Sequence, residues 1–138
     1  MDDPTSLLFG LDSFRVVDVV RVAERAVQVV VETVAVQGFC PDCGQPSTRV
    51  KDRAPVRIRD LPLAGQTAAL WWRKRRLYCL QTTCGRGSFT QTTSEILPRS
   101  RLTNRLREGL ARSIASSNRA VSEVAAEHGV AWHTAHRP

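Results

Sequence analysis

The chain has 138 residues and a formal net charge of +7, enough for one ordinary domain or two small ones and too little for a large multidomain enzyme. The charge is uneven: residues 1–38 hold three arginines against six acids, a net of −3, and residues 39–138 hold seventeen Lys and Arg against seven acids, a net of +10. That asymmetry points to a polyanionic partner, with nucleic acid the first candidate.

The start, Met1-Asp2-Asp3-Pro4, is acidic where a secretory leader is basic. The longest uncharged run, Leu61 to Trp72, is interrupted by Pro62, Gly65, Gln66 and Thr67. The expectation is a soluble cytoplasmic protein with no membrane partner. Phe14 to Val22 and Val27 to Val36 are rich in β-branched residues around Ala-Glu-Arg-Ala, which fits a turn. They predict a β-hairpin within residues 1–38, although the first half also scores as an apolar helix face.

From Phe39 to Thr90 the composition turns to Cys, Arg, Pro and Gly, with extended stretches at Val56 to Leu61 and Thr67 to Cys79. Cys40-Pro41-Asp42-Cys43-Gly44 has the C-x2-C spacing that lets two thiolates grip one tetrahedral ion, and Cys79 with Cys84 supplies a C-x4-C pair. In a reducing cytosol two such pairs point to metal before disulfides, with a redox pair or free thiols as the other readings. Four thiolates leave no open coordination position, so one structural zinc held by Cys40, Cys43, Cys79 and Cys84 is expected over residues 39–90, and no catalytic metal.

Arg73-Lys74-Arg75-Arg76 follows Trp71-Trp72 and precedes Leu77-Tyr78. On a strand, Trp72, Lys74, Arg76 and Tyr78 share one face and Trp71, Arg73, Arg75 and Leu77 the other, so both are basic and aromatic. This suits a ribbon laid on phosphates with an aromatic stacked on sugar or base; a solvated edge strand whose charges prevent aggregation is the plain alternative. Arg57, Arg59 and Asp60 precede it, and Asp60 is expected to orient one arginine in place of any catalytic role.

Residues 91–100 read as a polar linker leading to a helix capped by Ser100 or Thr103, with Leu102, Leu106, Leu110 and Ile114 as its apolar stripe. Ala120 to Glu127 predicts another helix, stopped by Gly129. Ala125, Gly129 and Ala135 have the spacing of a helix-turn-helix over residues 101–138, packed by Val121, Val124 and Val130; a plain helical hairpin is the alternative. The second helix would begin near Trp132 and present Trp132, His133, Thr134, His136 and Arg137 to DNA. The predicted class is therefore α+β: a hairpin, a small zinc ribbon and a C-terminal helical segment.

Taken together, Cys40-Pro41-Asp42-Cys43-Gly44, Arg59-Asp60-Leu61-Pro62 with Gly65, Arg75-Arg76-Leu77-Tyr78-Cys79, Cys84, Ser88-Phe89-Thr90 and His128-Gly129-Val130-Ala131-Trp132-His133-Thr134 give the chain a family likeness. It resembles the N-terminal part of bacterial transposases of the ISL3 family, which carry a zinc finger ahead of a helix-turn-helix. The resemblance implies zinc-dependent binding to the double-stranded terminal inverted repeats of an insertion sequence, association with the nucleoid, and pairing with another copy or with a full-length transposase. In that family a nuclease domain with an Asp/Asp/Glu triad follows; here Glu108, Glu123 and Glu127, the only acids beyond residue 100, fall on predicted helices. The expectation is a truncated helix-turn-helix region and a chain that is not itself an enzyme. A small zinc-ribbon and helix-turn-helix transcriptional regulator is the competing function, and an independent cysteine or histidine enzyme lacks a nucleophile beside a base.

Overall fold

The computed structural model describes residues 3–117 and 121–136. It is an α+β fold. Helix α1 (Pro4–Phe9) starts at Asp3, whose carboxylate accepts from the Ser6 amide at 2.8 Å, and ends at Gly10 in the left-handed conformation. Strand β1 (Phe14–Ala23) then pairs antiparallel with β2 (Ala26–Thr33) across Glu24-Arg25. Two short strands, β3 (Gly38–Phe39) and β4 (Pro46–Ser47), form a separate ribbon. The long strands β5 (Val50–Leu63) and β6 (Gln66–Tyr78) follow, with β7 (Ser88–Thr90) returning along the end of β6.

The main sheet has the order β1-β2-β6-β5, and β2 joins β6 in parallel, with Val29 beside Leu70 and Val31 beside Trp72. The β1–β2 pair and the basic strand therefore share one sheet. Strand β5 begins earlier than its composition suggests because Val50 to Pro55 pair with Leu77 to Arg73 of β6, and β5 is an edge strand. Pro55, paired with Arg73, is tolerated there because its missing amide needs no ladder partner on the outer side.

Strand β6 buries opposite faces at its two ends. Leu70 and Trp72 enter the main core with Phe14, Val29, Val31 and Ile58. The Trp72 ring meets Phe14 edge-on at 5.3 Å, and its Nε1 donates to Thr33 Oγ1 at 3.0 Å, satisfying the one polar atom that burial would strand. Leu77, five positions on and so on the other face, packs instead with Cys40 and Phe89.

Segment 91–100, expected to link, is itself packed: Ile96 is buried in the main core and Glu95 accepts the Ser13 amide at 2.6 Å. Residues 101–103 then lie along β5, where the Arg59 amide donates to Arg101 O and the Thr103 amide to Arg59 O. Helix α2 (Asn104–Ser117) starts from Thr103, whose hydroxyl accepts from the Leu106 amide at 3.2 Å; of the two predicted caps it is Thr103 that serves. Leu102, Leu106 and Leu110 form a second core with Val124, Ala125 and Ala135 of helices α3 (Val121–His128) and α4 (Trp132–His136). Gly129 turns the chain between these helices at φ 66°. No helix among the described residues is long and apolar enough to cross a membrane.

Candidate metal centre and nucleic-acid interface

The four cysteines converge. The first pair lies on the turn between β3 and β4, where the Cys40 amide donates to Gln45 O, the Gly44 amide returns to Cys40 O at 2.8 Å and Gly44 takes φ 75°. The second lies between β6 and β7, held by the Cys79 amide on Gly87 O and the Cys84 amide on Gln81 O. In this turn it is Gly87, rather than Gly85 directly after Cys84, that takes a positive φ, of 78°.

All four sulfurs lie within 4.8 Å of one another, with Cys43 to Cys79 at 3.5 Å and Cys40 to Cys84 at 3.9 Å. A zinc ion with Zn–S bonds of about 2.3 Å sets its sulfurs about 3.8 Å apart at tetrahedral angles. The cluster therefore fits one structural zinc, and four thiolates close its coordination sphere. The Cys40 thiol is drawn down to about 7: burial opposes its charge, but the amides of Cys43 and Asp42 and the side chains of Cys43 and Cys79 outweigh that cost. Cys79 goes the other way, to about 12; the Gln81 amide favours its thiolate, while burial and the neighbouring sulfurs of Cys43, Cys40 and Cys84 oppose it. A divalent cation removes that mutual repulsion.

The basic strand is resolved face by face. Trp72 is 2% exposed and cannot stack on a nucleic acid, so the exposed aromatic of that face is Tyr78, with the Arg49 guanidinium 5.1 Å from its ring centre. Lys74 lies over the Trp72 ring at 4.9 Å; burial first, and the charge of Arg101 second, lower its pKa. Arg76 on the same face approaches Asp52 at 4.0 Å and donates to Ser88 at 3.4 Å. On the other face Arg73 reaches Glu32 at 3.5 Å, and Arg75 donates to the carbonyls of Thr33 and Ala35 at 3.1 and 2.9 Å. Trp71, on this second face, is half-buried.

Asp60 does not orient an arginine of the basic strand. Its fully buried carboxylate instead takes Nε and Nη2 of Arg105, from α2, and the Thr103 hydroxyl at 2.7 Å. Arg59, its neighbour, donates from Nη1 to Gly129 O at 2.8 Å, reaching the turn between α3 and α4. Gly129 also sits so close to β6 that a Cβ there would lie 2.7 Å from Thr67 Cγ2. Adjacent residues of β5 thus hold the helical segment at two points. Sequence reasoning missed the Arg105 partner; the available signal was Asp60 itself, the one acid between Asp52 and Glu95.

In the helical segment Ala125 and Ala135 are buried, as the predicted spacing requires, and α4 begins at Trp132. His133 is exposed and Thr134 half-buried. His128 is buried, with Nδ1 at 2.9 Å from Val124 O. The side chains of Trp132 and His136, and Arg137 altogether, lie outside the described residues.

Residues 37–84 match the family described as zinc-finger of transposase IS204/IS1001/IS1096/IS1165, the ISL3 zinc ribbon. The chain is also 30% identical over 110 residues to the transposase for insertion sequence element IS1001 of Bordetella parapertussis. That similarity covers 80% of this chain and 26% of the relative, so the chain spans about a quarter of the transposase it matches. No solved structure matches it.

Proposed function

We propose, from the premise that residues 37–84 carry an ISL3-type transposase zinc ribbon, that this chain is the DNA-binding part of such a transposase and recognises the terminal inverted repeats of an insertion sequence. Three features support the reading. The zinc centre is structural, the strongest charge concentration lies on the strand leading into it, and a helical segment with helix-turn-helix spacing is fastened to the same sheet. Zinc holds the ribbon, Arg73, Lys74, Arg75 and Arg76 supply cations for phosphates, and α4 offers His133 and Thr134, with Trp132, His136 and Arg137, for closer reading of the duplex.

Strand cleavage is assigned to residues outside this chain. Glu123 and Glu127 lie on α3, Glu108 on α2, and Asp60 is engaged by Arg105; among the described residues the four cysteines are the one close group of three or more metal-ligating side chains, and it contains no carboxylate. Association with a full-length transposase or a second copy, and residence on the nucleoid, complete the proposal.

The single observation that carries the reading is the match of the four-cysteine segment to a transposase zinc ribbon together with its four converging sulfurs. The test is selection of bound fragments from sheared genomic DNA, followed by sequencing. Enrichment of insertion-sequence ends supports the proposal. Enrichment of promoter regions supports a zinc-ribbon transcriptional regulator instead, and loss of all duplex binding refutes both.

A further inference from the structure

Strand β5 carries cations that the basic strand does not account for. The antiparallel register places Arg53 opposite Arg75, Pro55 opposite Arg73, Arg57 opposite Trp71 and Arg59 opposite Ala69. Residues opposite one another in an antiparallel pair point to the same side. Arg53, Arg57, Arg59, Trp71, Arg73 and Arg75 therefore occupy one face, and Lys74 and Arg76 the other.

Both ends of that face are occupied. At one end Arg59 binds the carbonyl of Gly129 and Thr67 touches the same turn, so the helical segment closes the strip there. At the other end Leu77, on this face, is covered by Phe89 and Cys40, so the zinc module closes it. The strip between spans four residue steps from Arg57 to Arg53, about 14 Å.

Its charge is available. Arg53 and Arg57 are exposed and have no ion pair or hydrogen bond among the described residues. Arg73 is 48% exposed, and the acid beside it, Glu32, is shared with Arg15 at 2.8 Å. Trp71 lies between Arg57 and the β2 strand and is half-buried. The opposite face offers less: Lys74 is drawn onto the buried Trp72, and Arg76 sits near Asp52.

We propose that this strip, with Arg53 and Arg57 as its free cations and Trp71 as its apolar floor, is a second nucleic-acid contact surface that takes the sugar-phosphate backbone of the duplex engaged by the helix-turn-helix. The inference rests on the DNA-binding reading and adds to it a face and two residues. Duplex bound in the strip lies between the zinc module and the α3–α4 turn, so one backbone is held on three supports. Such contacts set the register of the protein on DNA and carry little base preference.

The test is the salt dependence of affinity for duplex DNA, measured by fluorescence anisotropy with zinc-loaded full chain, for wild type, R53Q/R57Q and K74Q/R76Q. Each phosphate contact contributes about 0.9 to the slope of log affinity against log salt, so R53Q/R57Q is expected to flatten it by about 1.8 with an unchanged melting temperature. Should the double Gln variant fold poorly, R53K/R57K keeps the charge and is expected to retain the wild-type slope. A wild-type slope in well-folded R53Q/R57Q, or a slope that falls only in K74Q/R76Q, overturns the strip while leaving DNA binding intact. A wild-type protein without salt-dependent duplex binding overturns the DNA-binding reading and the strip with it.

Discussion

The Asp60 carboxylate and the Arg105 guanidinium, 45 positions apart in sequence, form a two-pronged pair in which Asp60 is wholly buried and Arg105 Nε lies 2.8 Å from Oδ1. Arg105 also donates to Phe9 O at 2.7 Å and lies over the Phe9 ring, so one side chain ties α1, β5 and α2 together. Removing one member of a buried pair strands the other's charge and costs about 3–5 kcal/mol. Arg105→Met is expected to destabilise the protein by that order in urea denaturation. The double variant Asp60→Leu with Arg105→Met is expected to recover part of the loss, because no charge is then left buried. Equal stability of R105M and wild type would show the pair to be energetically idle.

Metal removal should act first at the β6–β7 end. The core of Leu77, Phe89 and Cys40 is small and depends on the four sulfurs being drawn together. The purified protein is expected to hold one zinc per chain by elemental analysis, and a strong chelator to lower the melting temperature and expose amides of residues 77–90 to hydrogen exchange. Cys79→Ser should reduce the zinc content well below one per chain. A chelated sample with unchanged melting temperature and exchange pattern would rule out a structural role for the ion.

Gly129 tests the seam between sheet and helices. A methyl at this position meets Thr67 at 2.7 Å and must hold φ at 66°, so Gly129→Ala carries both a steric and a conformational cost. The expected loss is about 1–3 kcal/mol by chemical denaturation. Thr67→Ser in the same chain removes Cγ2 but keeps the Thr67 Cβ that would lie 3.1 Å away, so it should restore most of the steric part and none of the conformational part, which a thermodynamic cycle would show as coupling between the two sites.

The adjacent tryptophans should separate cleanly. Trp72→Ala removes a ring from the main core and is expected to cost about 3–5 kcal/mol, and Trp72→Phe about 1 kcal/mol from the lost hydrogen bond to Thr33. Trp71→Ala should leave the melting temperature much nearer wild type and weaken duplex DNA binding. The reverse ranking in thermal melts would contradict the assignment of faces.

Much of the site was legible in the sequence because its chemistry is local. Two cysteines at C-x2-C spacing share one turn wherever that turn is placed, and identical ligand types on both pairs restrict the ion to one that accepts four thiolates. The leucine stripe from Leu102 to Leu110 and the turn at Gly129 were likewise readable, since helical periodicity and a left-handed turn are properties of a few consecutive residues. The charge asymmetry, −3 over residues 1–38 and +10 over residues 39–138, was equally readable and points to a polyanionic partner without any fold.

What the sequence left open was which side of each strand faces the core. Alternation assigned Trp71 and Trp72 to opposite faces but carried no information on which face would be covered. Only the core laid over one face, with Phe14 edge-on to the Trp72 ring and Ile96 in the same cluster, buried Trp72 and left Trp71 half-buried. The partners of Asp60 and Arg59 were invisible for the same reason: they arrive from residues 105 and 129, and contacts so distant along the chain are set by packing, not by spacing. Local chemistry thus determined the metal ligands, the helices and the charge, while the tertiary structure chose the exposed basic face, because burial depends on what the rest of the chain lays over a strand.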